Sequence, residues 1–139
     1  MKLRVRQRKF RREALILLPL AIVAVRLIPA RRILAWAARP SRFLHRFADP
    51  ELPVQIGAAV QARAAWFNLK APCLPTALVA QWMLRRRGVA SRLCLGVRRD
   101  ASALAAHAWL EIDGRIVFGS AEKPYVPIAG FGPAAGRRQ

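Results

Sequence analysis

The chain has 139 residues, of which 55% are hydrophobic and 23% charged, a composition typical of one folded domain and not of a disordered chain. It carries 25 Lys and Arg against 7 Asp and Glu, so the formal net charge is +18. Such an excess favours an acidic peptide, an acidic protein or an anionic membrane surface as partner; nucleic acid is not expected, because no nucleic-acid-binding motif accompanies the charge.

The first predicted elements are two amphipathic helices, over about 12–28 and 30–46, with Pro29 between them. Basic residues precede an apolar run over 14–25, which is the pattern of a signal anchor. This run is too short to span a bilayer, so we favour helices that pack on the core, on a partner or on a membrane surface. We assign residues 1–48 to this basic segment.

The remaining residues, 49–139, are predicted to form the core of the domain. A helix is expected over about 54–67, where apolar residues recur at helical spacing. The next helix begins at Cys73 and ends before Gly88, because Pro75 suits a first turn and Gly88 suits a C-terminal cap. Apolar residues cover nearly every face of this second helix, so it is predicted to be the buried central helix.

Beyond Gly88 the pattern alternates, as in half-buried strands. Strands are predicted over about 92–98, 105–112 and 115–119, and Asp113-Gly114 predicts a tight hairpin between the last two. Proline and glycine dominate the rest of the chain, which we interpret as a loop-rich tail, flexible after residue 131. The expected fold class is therefore α+β, with the central helix packed on a small antiparallel sheet.

Two cysteines, Cys73 and Cys94, are too few for a disulfide framework and lack metal-ligand spacing. They predict a cytoplasmic protein that needs neither metal nor cofactor. Cys73 is the candidate nucleophile, since backbone N–H groups at a helix start stabilise a thiolate and can bind an oxyanion. Cys94 is interpreted as a small strand residue.

A cysteine nucleophile also needs a base, and the chain contains two histidines. His45 lies in the basic N-terminal segment and is interpreted as a surface or packing residue. His107 lies within a predicted strand between small residues that leave its ring accessible. It is the candidate general base.

The order of nucleophile-bearing helix, strand and histidine-bearing hairpin resembles the transglutaminase-like (papain-like) cysteine fold. More narrowly, four segments resemble the B2 proteins of lasso-peptide biosynthesis, which are leader peptidases. These segments are Cys-Leu-Pro-Thr-Ala-Leu at 73–78, Leu-Arg-Arg-Arg-Gly-Val at 84–89, Leu-Gly-Val-Arg at 95–98 and Ala-His-Ala-Trp-Leu-Glu at 106–111.

This resemblance implies a cysteine peptidase that removes the leader from a ribosomally made lasso precursor peptide. It also implies two protein partners: a separate leader-recognition protein, and an asparagine-synthetase-like cyclase that closes the macrolactam. Cys73 then matches the nucleophile and His107 the general base. The basic N-terminal helices are expected to be the docking surface for a partner, with peripheral membrane contact as the alternative.

The family places a third residue, an Asp, about twelve positions after the histidine, and here that position is Gly119. A hairpin turning at Asp113-Gly114 would place His107 opposite Ser120, whose hydroxyl could accept a hydrogen bond from the ring. Glu122 is the nearest downstream carboxylate. We therefore predict Ser120 or Glu122 as the residue that orients His107, and interpret Asp113 as a turn former.

Two other interpretations remain open. The Cys–His pair could catalyse transamidation or amide hydrolysis on another substrate. Alternatively, having lost its Asp, the domain could be a catalytically degenerate basic scaffold that binds an acidic peptide, a partner protein or a membrane surface.

Overall fold

The computed structural model describes residues 2–39, 50–66, 73–119 and 125–132. Within these ranges the chain forms a helical layer on one antiparallel sheet, which confirms the predicted α+β class. In chain order the elements are α1 (Lys2–Leu27), α2 (Ala30–Ala38), α3 (Leu52–Trp66), α4 (Cys73–Arg86), β1 (Arg92–Asp100), β2 (Ala103–Ile112), β3 (Arg115–Phe118) and β4 (Val126–Phe131).

Helix α4 lies at the centre of the helical layer, as its apolar sequence predicts, and contacts α1, α3 and the sheet. Helix α1 belongs to the same core, because Phe10, Ala14 and Leu18 are buried in it. This helix begins about ten residues before the predicted start, since Lys and Arg are good helix formers even without apolar periodicity. The described residues contain no helix with both the length and the apolar character needed to cross a membrane.

Two sets of polar contacts hold α1 and α2 against α4. The carboxylate of Glu13 on α1 accepts hydrogen bonds from Arg86 at 2.9 Å and from Arg87 at 2.6 Å. The Arg85 guanidinium donates to the carbonyls at the end of α2, those of Trp36, Ala37 and Arg39. Both sets use arginines at the C-terminal end of α4, where a positive charge also interacts favourably with the helix dipole.

The sheet has the strand order β3-β2-β1-β4. Strands β1 and β2 pair from Arg92 opposite Glu111 to Asp100 opposite Ala103. Strands β2 and β3 form the predicted hairpin: its turn residues, Asp113 and Gly114, have φ values of 51° and 80°, as a two-residue turn of this kind requires. The interpretation of Asp113 as a turn former is confirmed.

Strand β4 corrects one sequence prediction, because residues 126–131 were expected to belong to a loop-rich tail. This segment instead pairs with β1 at the edge of the sheet. Pro127 and Gly130 obscure the strand pattern in the sequence. An edge strand tolerates proline, since only one side of it bonds to a neighbour.

Candidate cysteine and histidine site

Cys73 is the first residue of α4, where the sequence analysis placed it. Its carbonyl accepts a hydrogen bond from the hydroxyl of Thr76 at 3.0 Å, a local contact that tightens the first turn. The side chain is half-buried and packs against the core of the helical layer. Backbone N–H groups in the first turn of a helix lack intrahelical partners, so they can donate hydrogen bonds to an oxyanion bound beside Cys73.

His107 is half-buried in the middle of β2, close to two aromatic rings. Its ring centroid lies 4.9 Å from that of Tyr125 and 6.1 Å from that of Trp109. The Arg98 guanidinium in turn lies 4.7 Å from the centroid of the Tyr125 ring. Tyr125 was not predicted to lie near His107, because the segment before β4 was interpreted as part of the loop-rich tail.

The polar partner of His107 is a backbone carbonyl. Its Nε2 atom lies 2.5 Å from the carbonyl oxygen of Gly119. A carbonyl can only accept, so Nε2 carries the hydrogen and Nδ1 keeps the lone pair in the neutral ring. The contact fixes the tautomer and would stabilise the positive charge of an imidazolium, the role that a carboxylate has in a complete triad.

The backbone conformation and the close neighbours of residue 119 explain why this residue is a glycine. Gly119 has a φ of +82°, and a Cβ there would lie 3.0 Å from the carbonyl oxygen of Ala108 and 3.1 Å from the Cα of Trp109. A side chain at this position would therefore be strained and crowded by backbone. At the position of the family's Asp, this chain provides a carbonyl group.

The predicted register of the hairpin is wrong beyond its first two pairs. Ile112 pairs with Arg115 and Glu111 pairs with Ile116, as expected. A bulge then separates Glu111 from Leu110, and Leu110 lies opposite Phe118 instead of residue 117. The register that placed Ser120 opposite His107 therefore does not continue to the site, because a bulge adds one residue to a strand. Ser120 and Glu122 themselves lie outside the described residues, and their role in orienting His107 stays a prediction.

Cys73 and His107 lie on neighbouring elements but are not joined by a hydrogen bond among the described residues. Side chains alternate along β2, and Ala108 belongs to the core against which Cys73 packs. His107 therefore shares the other face of the strand with Trp109. The pairing of the two side chains in one site stays a prediction.

A glycine in β1 makes room for the Trp109 ring beside His107. Gly96 of β1 lies directly opposite His107, and a Cβ there would lie 2.6 Å from the outer edge of the Trp109 ring. Trp109 therefore lies across Gly96, and its indole N–H donates to Glu111 at 2.9 Å. This arrangement makes Trp109 both a buried packing residue and one side of the His107 environment.

The two cysteines should react at different rates with iodoacetamide. Cys94 is buried, and burial, followed by the negative charge of Glu111, raises the pKa of its thiol above the ordinary value. A raised pKa leaves less thiolate at a given pH, so Cys94 needs a more alkaline solution to react. Cys73 is half-buried at a helix start, so we expect it to be labelled first near neutral pH. Peptide mass spectrometry after timed labelling measures both rates; equal rates would contradict the expectation.

A protein-family model described as "Transglutaminase-like superfamily" matches residues 14–129. The match covers most of the chain, including α4 with Cys73 and β2 with His107. Searches against curated proteins and against solved structures find no match.

Proposed function

Because this chain belongs to the transglutaminase-like superfamily, we propose that it is a cysteine peptidase that removes the leader from a lasso precursor peptide. The superfamily includes both cysteine peptidases and transglutaminases. The peptidase proposal rests on the positions of two side chains. Cys73 begins the central helix, and His107 bonds through Nε2 to the Gly119 carbonyl, which leaves Nδ1 unprotonated in the neutral ring and able to accept a proton.

In the proposed reaction the Cys73 thiol gives its proton to Nδ1 of His107, and the sulfur attacks the carbonyl carbon of the scissile peptide bond. N–H groups at the start of α4 stabilise the oxyanion that forms. The C–N bond breaks as His107 returns the proton to the leaving amine. Water, deprotonated by the same ring, then attacks the thioester carbonyl. The C–S bond breaks, His107 returns the proton to the Cys73 sulfur, and the leader leaves as a carboxylate.

This sequence of steps requires Cys73 and His107 to come within hydrogen-bond reach. Hydrogen bonds between catalytic groups are often long or misaligned without substrate and tighten when it binds. Because His107 lies on the face of β2 away from the core against which Cys73 packs, the proposal requires a larger change, in which His107 moves to the side of β2 on which α4 begins. The Gly119 carbonyl would continue to hold Nε2 during that movement.

The lasso precursor as substrate rests on the resemblance of four segments around Cys73 and His107 to lasso leader peptidases. The net charge of +18 supports an acidic leader as ligand. We propose that a separate leader-recognition protein delivers the precursor and that an asparagine-synthetase-like cyclase uses the freed core peptide.

The direct test is reconstitution with a purified precursor peptide and its leader-recognition protein. We expect intact mass spectrometry to find one leader fragment and one core fragment, which sum to the precursor plus one water. An added primary amine distinguishes peptidase from transamidase, because transamidation would attach the amine to the new carboxyl end. No cleavage by a folded protein with its partner present would refute the proposal.

A second candidate is the catalytically degenerate scaffold. Two observations favour it: His107 lies on the face of β2 away from the core against which Cys73 packs, and glycine occupies the position of the family's Asp. A scaffold would bind an acidic peptide without cleaving it. Binding measured by fluorescence anisotropy, together with an unchanged peptide mass after incubation, would support this candidate over the peptidase.

A further inference from the structure

Helix α1 presents a continuous exposed stripe on the side opposite its buried face. Its members recur every three or four positions, which places them on one face of the helix. We call it the α1 outer stripe; it consists of Lys2, Val5, Lys9, Arg12, Ile16, Leu20, Val23 and Leu27, all of them exposed.

The α1 outer stripe has two halves of different chemistry. Its N-terminal half is mainly cationic, whereas its C-terminal half consists of Ile16, Leu20, Val23 and Leu27, each more than half exposed. The stripe contains no acidic side chain. Glu13, the acidic residue of α1, lies off the stripe, is turned towards α4 and pairs with Arg86 and Arg87.

The apolar half continues into a groove of about 450 Å³ between α1, α2 and α4. Leu20 belongs to both surfaces, and Trp82 and Arg32 also line the groove. Trp82 is partly exposed, and its ring centroid lies 5.4 Å from that of Trp36 with the two planes inclined at 36°. Tryptophan and arginine next to exposed aliphatic side chains are typical of a surface that meets the interfacial region of a bilayer.

We propose that the α1 outer stripe binds an anionic phospholipid surface, with α1 lying flat on it. The aliphatic half would enter the boundary between headgroups and acyl chains, and the cationic half would contact lipid phosphates. The stripe runs along the outer side of a helix of 26 residues, about 39 Å long. This outer side is convex and offers no groove for a peptide, so it suits an extended flat surface better than a peptide ligand. The net charge of +18 supplies the long-range attraction.

The experiment is co-sedimentation of the full chain with vesicles of equal parts phosphatidylglycerol and phosphatidylcholine. We expect binding that weakens with added salt and is much weaker for phosphatidylcholine alone. The double variant Val23→Glu, Leu27→Glu should bind at least about tenfold more weakly, since it places two charges in the apolar half. Both side chains are exposed, at 52% and 77%, so the fold should persist.

A matched control separates insertion of the stripe from the effect of net charge. The double variant Leu104→Glu, Ile128→Glu makes the same charge change at side chains of the sheet that are 72% and 64% exposed. It should retain nearly all of the vesicle binding. Equal losses in the two double variants, or no loss in either, would overturn the proposal. A parallel assay measures binding of each variant to an acidic amphipathic peptide. If Val23→Glu, Leu27→Glu lost binding to this peptide but kept its binding to vesicles, the stripe would be assigned to a protein partner and the proposal would be overturned.

Discussion

Replacing Cys73 with alanine should abolish release of the leader, with a fall in the cleavage rate of at least about 10³-fold. The physical reason is that alanine offers no nucleophile, while the helix start and His107 remain. The fold should be retained, because Cys73 is only half-buried and alanine is a good helix former. The measurement is the initial rate of leader release by mass spectrometry, with circular dichroism as the check on folding.

Cys94→Ala is the matched control, since it removes the other of the two thiols in the chain. Cys94 is buried on the sheet, so this change should cost about 1 kcal/mol of unfolding free energy and leave the cleavage rate within about twofold. Unchanged cleavage by Cys73→Ala would refute the proposed mechanism. Loss of cleavage in Cys94→Ala, with normal folding, would move the nucleophile to the other cysteine.

Local sequence signals were sufficient for the central elements of the fold. Pro75 and Gly88 delimit α4 because proline suits a first turn and glycine suits the residue after a helix. Asp113-Gly114 predicts the β2–β3 hairpin because its turn requires positive φ at both residues. The family match over 14–129 agrees with the fold class predicted from these elements.

The environment of His107 was harder to predict, because it depends on tertiary pairing. The bulge after Leu110 shifts the hairpin register, and nothing in the local alternation of β2 indicates it. Tyr125 reaches the ring because β4 pairs with β1 from a distant part of the chain. The main partner of the imidazole is a main-chain carbonyl, and every residue type carries one, so residue identity does not reveal it.

The N-terminal helix shows a similar limit. Its basic and apolar composition predicted a docking segment, but composition does not separate buried from exposed residues along α1. The structure places Phe10, Ala14 and Leu18 in the core. Removal of residues 1–28 would therefore expose the core of the helical layer, and point substitutions on the α1 outer stripe are the better test of docking.

Gly119→Ala should lower both stability and the rate of leader release. Alanine at a φ of +82° costs about 1–2 kcal/mol, and its Cβ would lie 3.0 Å from the Ala108 carbonyl oxygen. The backbone must shift to relieve this contact, and the carbonyl that accepts from His107 would shift with it. We expect kcat to fall at least about tenfold, since a misdirected imidazole transfers protons less well. Urea unfolding and steady-state cleavage kinetics measure the two effects.

Gly114→Ala is the matched control, because Gly114 has nearly the same φ, 80°, in the exposed turn after β2. It should lose similar stability to backbone strain and keep its kcat. If both variants lost activity in proportion to stability, the Gly119 carbonyl would have no role beyond the fold. A fall in kcat confined to Gly119→Ala would instead support that carbonyl as the group that orients His107, in place of the family's Asp.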